Sequence, residues 1–216
     1  MRKRGICSVL PALLLAAACR RGGTAPPPSS VDTVRFPPRP DVLLITIDTL
    51  RADALGFSGN MKVSTPTLDR LAAQGLVFTR AHAHNVVTLP SHVNILTGLY
   101  PYQHGVRDNT GFRVSPDTPT LATWLHEHGY ATGAFVGAFP LDSRFGLARG
   151  FDAYDDRYPK GKTPLDFEMP ERPASEVVSA ALKWYAQNAG RPRFLWVHIY
   201  DCHAPYRPPE PFASQY

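Results

Sequence analysis

The sequence predicts an α/β domain with a mostly parallel central sheet and flanking helices. Short apolar runs rich in β-branched residues alternate along the chain with longer segments whose apolar residues recur at helical spacing. The first apolar run is nearly continuous, which is typical of a strand that is covered on both faces in a parallel sheet. Alternation of strands and helices is in turn typical of parallel strands joined by helical crossovers.

Four strands are predicted from these apolar runs. The first covers Val42 to Ile47 and ends at Asp48. The others each follow a predicted helix, and they cover Leu76 to Thr79, Ala131 to Val136 and Phe194 to Tyr200.

Four helices are predicted where a capping residue or an early proline precedes apolar residues at helical spacing. They lie within Ser64 to Gly75, Thr88 to Gly98, Thr118 to Gly129 and Ala174 to Asn188. In the second of these helices we expect Val93, Ile95 and Leu96 to be buried.

The composition excludes several classes of protein. The 216 residues are 44% hydrophobic and 19% charged, which excludes a disordered tail and a membrane bundle. The net charge is +5, but Arg2, Lys3 and Arg4 supply three of these charges, so we expect no nucleic-acid partner. The sequence contains no Walker loop, GxGxxG motif or CxxC pair, so it does not support a nucleotide-binding loop or a zinc ribbon.

Residues 1–18 are predicted to form a signal peptide. The apolar stretch from Ile6 to Ala18 follows the three basic residues and is too short to cross a bilayer, since a span needs about 20 residues. Cys19 ends a Leu-Ala-Ala-Ala-Cys segment that resembles a bacterial lipoprotein box, so we expect it to carry a lipid anchor that attaches the protein to a membrane. The alternative is an ordinary signal cleavage site. Both interpretations predict export to the bacterial cell envelope.

The rest of the chain divides into a linker and a folded domain. Residues 19–40 are rich in proline and have no apolar periodicity, so we expect a semi-rigid linker there. The folded domain is predicted over residues 41–216. In open parallel sheets ligands bind outside the carboxyl ends of the strands. This rule selects Asp48 with Thr49, and the segment Asp201 to His203.

A third segment, from Thr88 to Asn109, supplies a candidate nucleophile. Thr88 is predicted at the start of a short helix, where free backbone N–H groups and the positive end of the helix dipole favour an anion. Its hydroxyl can attack a phosphate or sulfate ester if a nearby cation lowers the hydroxyl pKa. A divalent cation held by Asp48 would do so.

Four separated motifs, in order along the chain, resemble the amino-terminal part of the sulfatase family in the alkaline phosphatase superfamily. They read DVLLITIDTLRAD, STPTLDRLAAQGLVF, TLPSHVNILTGLYPYQHG and HIYDCHAPYRPP. The resemblance implies an alkaline-phosphatase-like fold. It also implies that the protein hydrolyses sulfate or phosphate esters of small molecules or glycans, and that it uses a divalent cation, calcium or zinc. It implies that Asp48 and Thr88 hold the metal and that Thr88 and His203 are catalytic. We expect Ser91, His92 and His104 to contact the substrate.

Departures from the sulfatase pattern favour phosphorus chemistry. Sulfatases use a Cys or Ser that is oxidised to formylglycine, whereas this chain has Thr88, and His92 replaces the usual Arg. The T-x-P-S-H pattern also resembles the nucleotide pyrophosphatase/phosphodiesterase branch, whose nucleophile is Thr. However, Asp201-x-His203 has the sulfatase spacing. A transferase of phospho-substituents on the same fold and a non-catalytic anion-binding lipoprotein are the alternatives.

Each candidate residue can have a structural role instead of a role in binding or catalysis. Thr88 can be a helix cap, and Asp48 can cap a turn, although a buried carboxylate without a cation or donors is costly. Structural roles are equally open for His92 and His104. His198 lies inside an apolar strand and is predicted to belong to the core. His82 and His84 have a spacing that suits a metal, but no third ligand is evident.

The resemblance also implies a second set of metal ligands in a D-[HN]-G motif on a later strand. No such motif follows Tyr206. We therefore expect the chain to be an incomplete, truncated part of the fold, whether as a truncated product, a fragment or one piece of a split protein. We expect the isolated chain to bind metal weakly and to turn over substrate poorly.

Overall fold

The computed structural model describes residues 38–158 and 170–215. Its centre is one four-stranded sheet in the order β1-β4-β2-β3, and every pair of neighbouring strands is parallel. The strands are β1 (Val42–Ile47), β2 (Ala131–Val136), β3 (Ala153–Asp155) and β4 (Arg193–Ile199). The predicted α/β class with a parallel sheet is therefore confirmed. The predicted signal peptide, Cys19 and nearly all of the linker lie outside the described residues.

Helices flank the sheet on both faces. They are α1 (Pro66–Gln74), α2 (Thr88–Thr97), α3 (Pro101–His104), α4 (Leu121–Glu127) and α5 (Ala174–Gln187). Four of them match predicted helices, whereas α3 and the three-residue strand β3 were not predicted. None of the helices in residues 38–158 and 170–215 has the length and apolarity that crossing a bilayer requires.

Two apolar clusters lie on opposite faces of β4. Phe194 and Trp196 belong to the cluster that also contains Leu89, Val93 and Leu96 of α2. The alternate residues Leu195 and Val197 pack with Val177 and Ala181 of α5. Because side chains alternate along a strand, this continuous apolar run is buried on both faces. The side chain of His198 therefore shares the α2 face with Phe194 and Trp196.

Two sequence-based predictions were wrong. Leu76 to Thr79 is not a strand, and Leu76 and Phe78 are 89% and 79% exposed. A strand needs a neighbour to accept and donate its backbone hydrogen bonds, and no described strand lies beside this segment. Ile95 is exposed, because the buried stripe of α2 runs through Leu89, Val93 and Leu96 at i, i+4 and i+7.

Candidate active site

The loops after β1 and β4 meet at one edge of the sheet. The Asp48 backbone N–H donates to the Ile199 carbonyl at 2.9 Å, which extends the pairing of these strands by one residue. Thr49 adopts a left-handed conformation with φ of 52°, and its hydroxyl donates to the Cys202 carbonyl at 2.8 Å. Hydrogen bonds therefore connect the two segments predicted to bind ligands, Asp48 with Thr49 and Asp201 to His203.

Asp48 and Thr88 form the centre of the candidate site. Thr88 is the first residue of α2, and its Oγ1 donates to Asp48 Oδ2 at 3.2 Å. The Asp48 side chain is only 8% exposed. A hydroxyl at the positive end of a helix thus lies against a largely buried carboxylate.

The amino terminus of α2 offers fewer free donors than expected. The Leu89 N–H donates to the Asn109 side-chain oxygen at 2.8 Å, and Pro90 has no N–H. Among the first three residues of α2, only the Thr88 N–H has no partner within the described chain. No local pattern in the sequence predicts this contact of Asn109.

Two buried histidines lie on the inner side of this pair. His92 Nδ1 lies 2.7 Å from the Thr88 carbonyl oxygen, and since a carbonyl only accepts, Nδ1 carries the hydrogen. His198 Nε2 lies 3.4 Å from Asp48 Oδ2, and the His92 and His198 rings are nearly perpendicular with centroids 4.8 Å apart. His92 Nε2 and both ring nitrogens of His198 are buried without a hydrogen bond among the described residues.

His198 lines the candidate site, a role that the sequence did not predict. It was predicted to belong to the core, and it is indeed fully buried, yet it also contacts the candidate metal ligand Asp48. The available signal was a lone titratable residue within an apolar strand, three positions before Asp201.

The charges of this cluster follow from burial and contact. Burial raises the pKa of Asp48, but the contact with His198, together with smaller effects of His92 and Thr88, lowers it below its ordinary value on balance. Burial, with a smaller effect of His198, lowers the pKa of His92 to about 4. At neutral pH the site therefore contains a charged Asp48 carboxylate and a neutral His92.

His203 lies in a separate part of the same edge. Its ring stacks on Tyr200 with centroids 4.4 Å apart, and Nδ1 donates to the Ala204 carbonyl at 2.6 Å. With Glu171, Arg172, Tyr200 and Arg207 it lines a cavity of about 220 Å³. No described contact joins His203 to Asp48 or Thr88, so its catalytic role stays a prediction.

Asp201 has a structural contact. Its carboxylate accepts a hydrogen bond from the Ala174 N–H at 2.9 Å, at the first residue of α5. A carboxylate in this place caps the helix and complements its dipole.

The roles of Ser91 and His104 also stay predictions. His104 is buried between α3 and α2, where Nε2 lies 2.7 Å from the Asn94 side chain and Nδ1 accepts from the Val106 N–H at 3.1 Å. Both ring nitrogens thus have partners within the chain. Ser91 is partly exposed in the first turn of α2, and its N–H donates to the Val87 carbonyl.

The described residues supply part of a cation site. Asp48 and Thr88 offer a carboxylate and a hydroxyl, the oxygen ligands that hard divalent cations prefer. The buried charge of Asp48 fits such a cation, since a buried carboxylate is costly without compensation. However, no group of three or more His, Cys, Asp or Glu in residues 38–158 and 170–215 is arranged to hold a metal, and this includes the exposed His82 and His84.

Comparison with known proteins identifies the family. The family model described as Sulfatase matches residues 40–216. An N-acetylgalactosamine-6-O-sulfatase of Bacteroides thetaiotaomicron is 39% identical over 110 residues, which are 48% of this chain and 21% of that protein. Human iduronate 2-sulfatase is 29% identical over 209 residues, with coverage of 82% and 37%.

Solved structures agree with the fold. The phosphonate monoester hydrolase of Agrobacterium radiobacter has a TM-score of 0.67 at 25% identity, and the match covers 82% of this chain and 44% of that one. An alkaline phosphatase superfamily protein of Vibrio parahaemolyticus has a TM-score of 0.59 at 24% identity, with coverage of 80% and 43%, and this likeness concerns the fold alone. The chain spans less than half the length of these relatives. Because the family model matches most of its residues, the chain belongs to the sulfatase family.

Proposed function

We propose that this chain is the nucleophile-bearing part of a divalent-metal-dependent hydrolase of sulfate or phosphate esters. The observation that supports the proposal most is the 3.2 Å hydrogen bond from Thr88 Oγ1 to Asp48 Oδ2 at the start of α2. Membership of the sulfatase family supports the same reaction class.

Each residue of the pair has a distinct role in this proposal. Asp48 orients the Thr88 hydroxyl, while the dipole of α2 and the Thr88 N–H attract the anionic ester. Since the pKa of Asp48 is lowered, its carboxylate is a weak base and does not remove the hydroxyl proton unaided. Asp48 and Thr88 would hold a divalent cation, which would supply positive charge to lower the hydroxyl pKa and to stabilise the ester oxygens.

Two observations favour phosphorus esters over sulfate esters. Thr88 stands where formylglycine-dependent sulfatases carry Cys or Ser, and a Thr hydroxyl attacks phosphorus directly. The structural relative at 25% identity is a phosphonate monoester hydrolase. The two sulfatase relatives, named for N-acetylgalactosamine-6-O-sulfate and iduronate 2-sulfate, instead favour a sulfated sugar. The substrate class is therefore an anionic ester of a small molecule or glycan.

Export and lipid anchoring belong to the same proposal, and they rest on residues 1–18 and Cys19. Expression of the chain in a bacterium with radiolabelled palmitate tests them. We expect label in the membrane fraction, and we expect Cys19→Ser to remove it. Soluble, unlabelled wild-type protein would contradict the anchor.

The experiment that tests the hydrolase is a substrate survey on the full chain. Nitrophenyl sulfate, phosphate, phosphodiester and phosphonate are each assayed with calcium, zinc or manganese. Thr88→Ala should abolish turnover, whereas Thr97→Ala should retain it, because Thr97 bonds to Val93 at the other end of α2. Turnover by Thr88→Ala would exclude Thr88 as the nucleophile. An inactive wild-type chain would exclude hydrolase activity of this chain.

A further inference from the structure

We propose that His198 is the positioning residue of the candidate site, with its Nε2–H donating to Asp48 Oδ2. This inference rests on the proposed function. It arises from a juxtaposition of three residues from separate elements, β4, the end of β1 and the start of α2, which the fold brings together below the surface of the sheet edge.

Two groups converge on one oxygen of Asp48. Thr88 Oγ1 lies 3.2 Å from Oδ2, and His198 Nε2 lies 3.4 Å from the same atom. Oδ1 has no hydrogen bond within the described ranges. A carboxylate held through Oδ2 in this way keeps its orientation and leaves Oδ1 for an incoming cation.

His198 has no competing partner among the described residues. Its side chain is fully buried, and neither ring nitrogen makes a hydrogen bond there. The neighbouring His92 donates its Nδ1–H to the Thr88 carbonyl, so its own hydrogen is already used. A buried polar group without a partner is unfavourable, and the charged Asp48 Oδ2, 3.4 Å away, is an acceptor that can satisfy Nε2.

The sheet holds the backbone of His198 from both sides. His198 pairs in register with Thr46 of β1 and Val136 of β2, so strands lie on both sides of it. The ring is also fully buried, so the side chains packed around it restrict its rotation. The 3.4 Å separation is longer than a formed hydrogen bond, and such contacts often tighten when a site is loaded. We expect this one to shorten when Asp48 binds a cation.

Nitrogen-15 NMR of the full chain tests which nitrogen of His198 carries a proton, with His198→Gln to assign the signal. We expect a protonated Nε2. A bare Nε2 would overturn the proposal, because it has no hydrogen to donate. This measurement needs no turnover, so an inactive chain with a protonated Nε2 would reject the proposed function alone.

Crystal structures of three variants test the consequence for Asp48. In His198→Leu we expect the carboxylate to rotate and the contact between Thr88 Oγ1 and Asp48 Oδ2 to be lost. His198→Gln should keep the contact, because its amide donates. Thr132→Val should also keep it, since Thr132 is equally buried but bonds to Asp152 at the other end of the sheet. An unchanged contact in His198→Leu would overturn the proposal, and if that variant does not fold, the NMR result decides.

Discussion

Thr88 and Asp48 are 40 residues apart in the sequence, yet the Thr88 hydroxyl donates to the Asp48 carboxylate at 3.2 Å. The contact joins the start of a helix to the end of a strand. It places a polar oxygen where a helix dipole and a buried negative charge meet. This geometry makes Asp48 the residue on which cation binding should depend.

Asp48→Asn should weaken the binding of divalent cations by about tenfold or more, because it removes the negative charge and keeps the size of the side chain. Isothermal titration with calcium, zinc and manganese measures the affinity. Asp53→Asn is the matched control, since Asp53 lies in the same loop and its exposed carboxylate pairs with Arg51. Equal affinities in both variants would contradict the role of Asp48.

Asn109→Ala should lower the free energy of unfolding by about 1 kcal/mol, the usual loss when a helix cap is removed. The Asn109 side chain accepts a hydrogen bond from the Leu89 N–H at 2.8 Å, so it caps α2 from a distant loop. Urea unfolding measures the change. Asn109→Asp retains the acceptor and should retain the stability. An unchanged free energy of unfolding in Asn109→Ala would show that the capping bond contributes nothing.

The free energy of unfolding should decrease at low pH, because Asp155 becomes protonated. The hydrogen bond from Arg157, with a further contribution from Arg172, lowers the pKa of Asp155 from 3.8 to about 2. Because the folded-state pKa lies below the unfolded one, the stabilisation is complete above about pH 4 and is lost as the pH falls to about 2. The pKa shift corresponds to a stabilisation of about 2 kcal/mol. Solvent screens it little, because the carboxylate is only 8% exposed.

Denaturant unfolding of the wild type and of Asp155→Asn from pH 6 to pH 2 measures this loss. The variant should be less stable at pH 6, where it also removes the charged partner that lies 3.0 Å from the buried Arg172. The gap between the two proteins should narrow toward pH 2. A gap that stays constant over this range would contradict the pKa shift.

Gly150→Ala should destabilise the fold by several kcal/mol. The residue has φ of 86°, and an added Cβ would lie 2.3 Å from the Thr123 backbone nitrogen in α4. Gly111→Ala is the control, since Gly111 has φ of 76° but no atom within 4 Å of the added Cβ. The control should lose only about 1 kcal/mol from backbone strain. Thermal melting compares the two variants, and equal losses would exclude the steric clash.

Local signals sufficed for most of the secondary structure. The apolar run from Val42 to Ile47 and the alternation of strands and helices predict the sheet, because burial on both faces leaves a continuous apolar pattern. The strand-end rule also located Asp48. Leu76 to Thr79 shows the limit of such signals. It has the composition of a strand, but a strand also requires a neighbour, which local composition does not reveal.

The site required long-range information. Periodicity predicts that His198 is buried, but the parallel register of β1 and β4 decides that it faces Asp48. Asn109 is a similar case. Its sequence context predicts only a loop residue, whereas the fold places its side chain against the first turn of α2.

Periodicity, capping signals and strand ends are local features, and they were enough to predict the fold class, most helices and strands, and the pair Asp48 and Thr88. The side chains around that pair became clear only in the folded chain. Contacts between residues far apart in the sequence depend on strand register and helix packing, which no local pattern encodes.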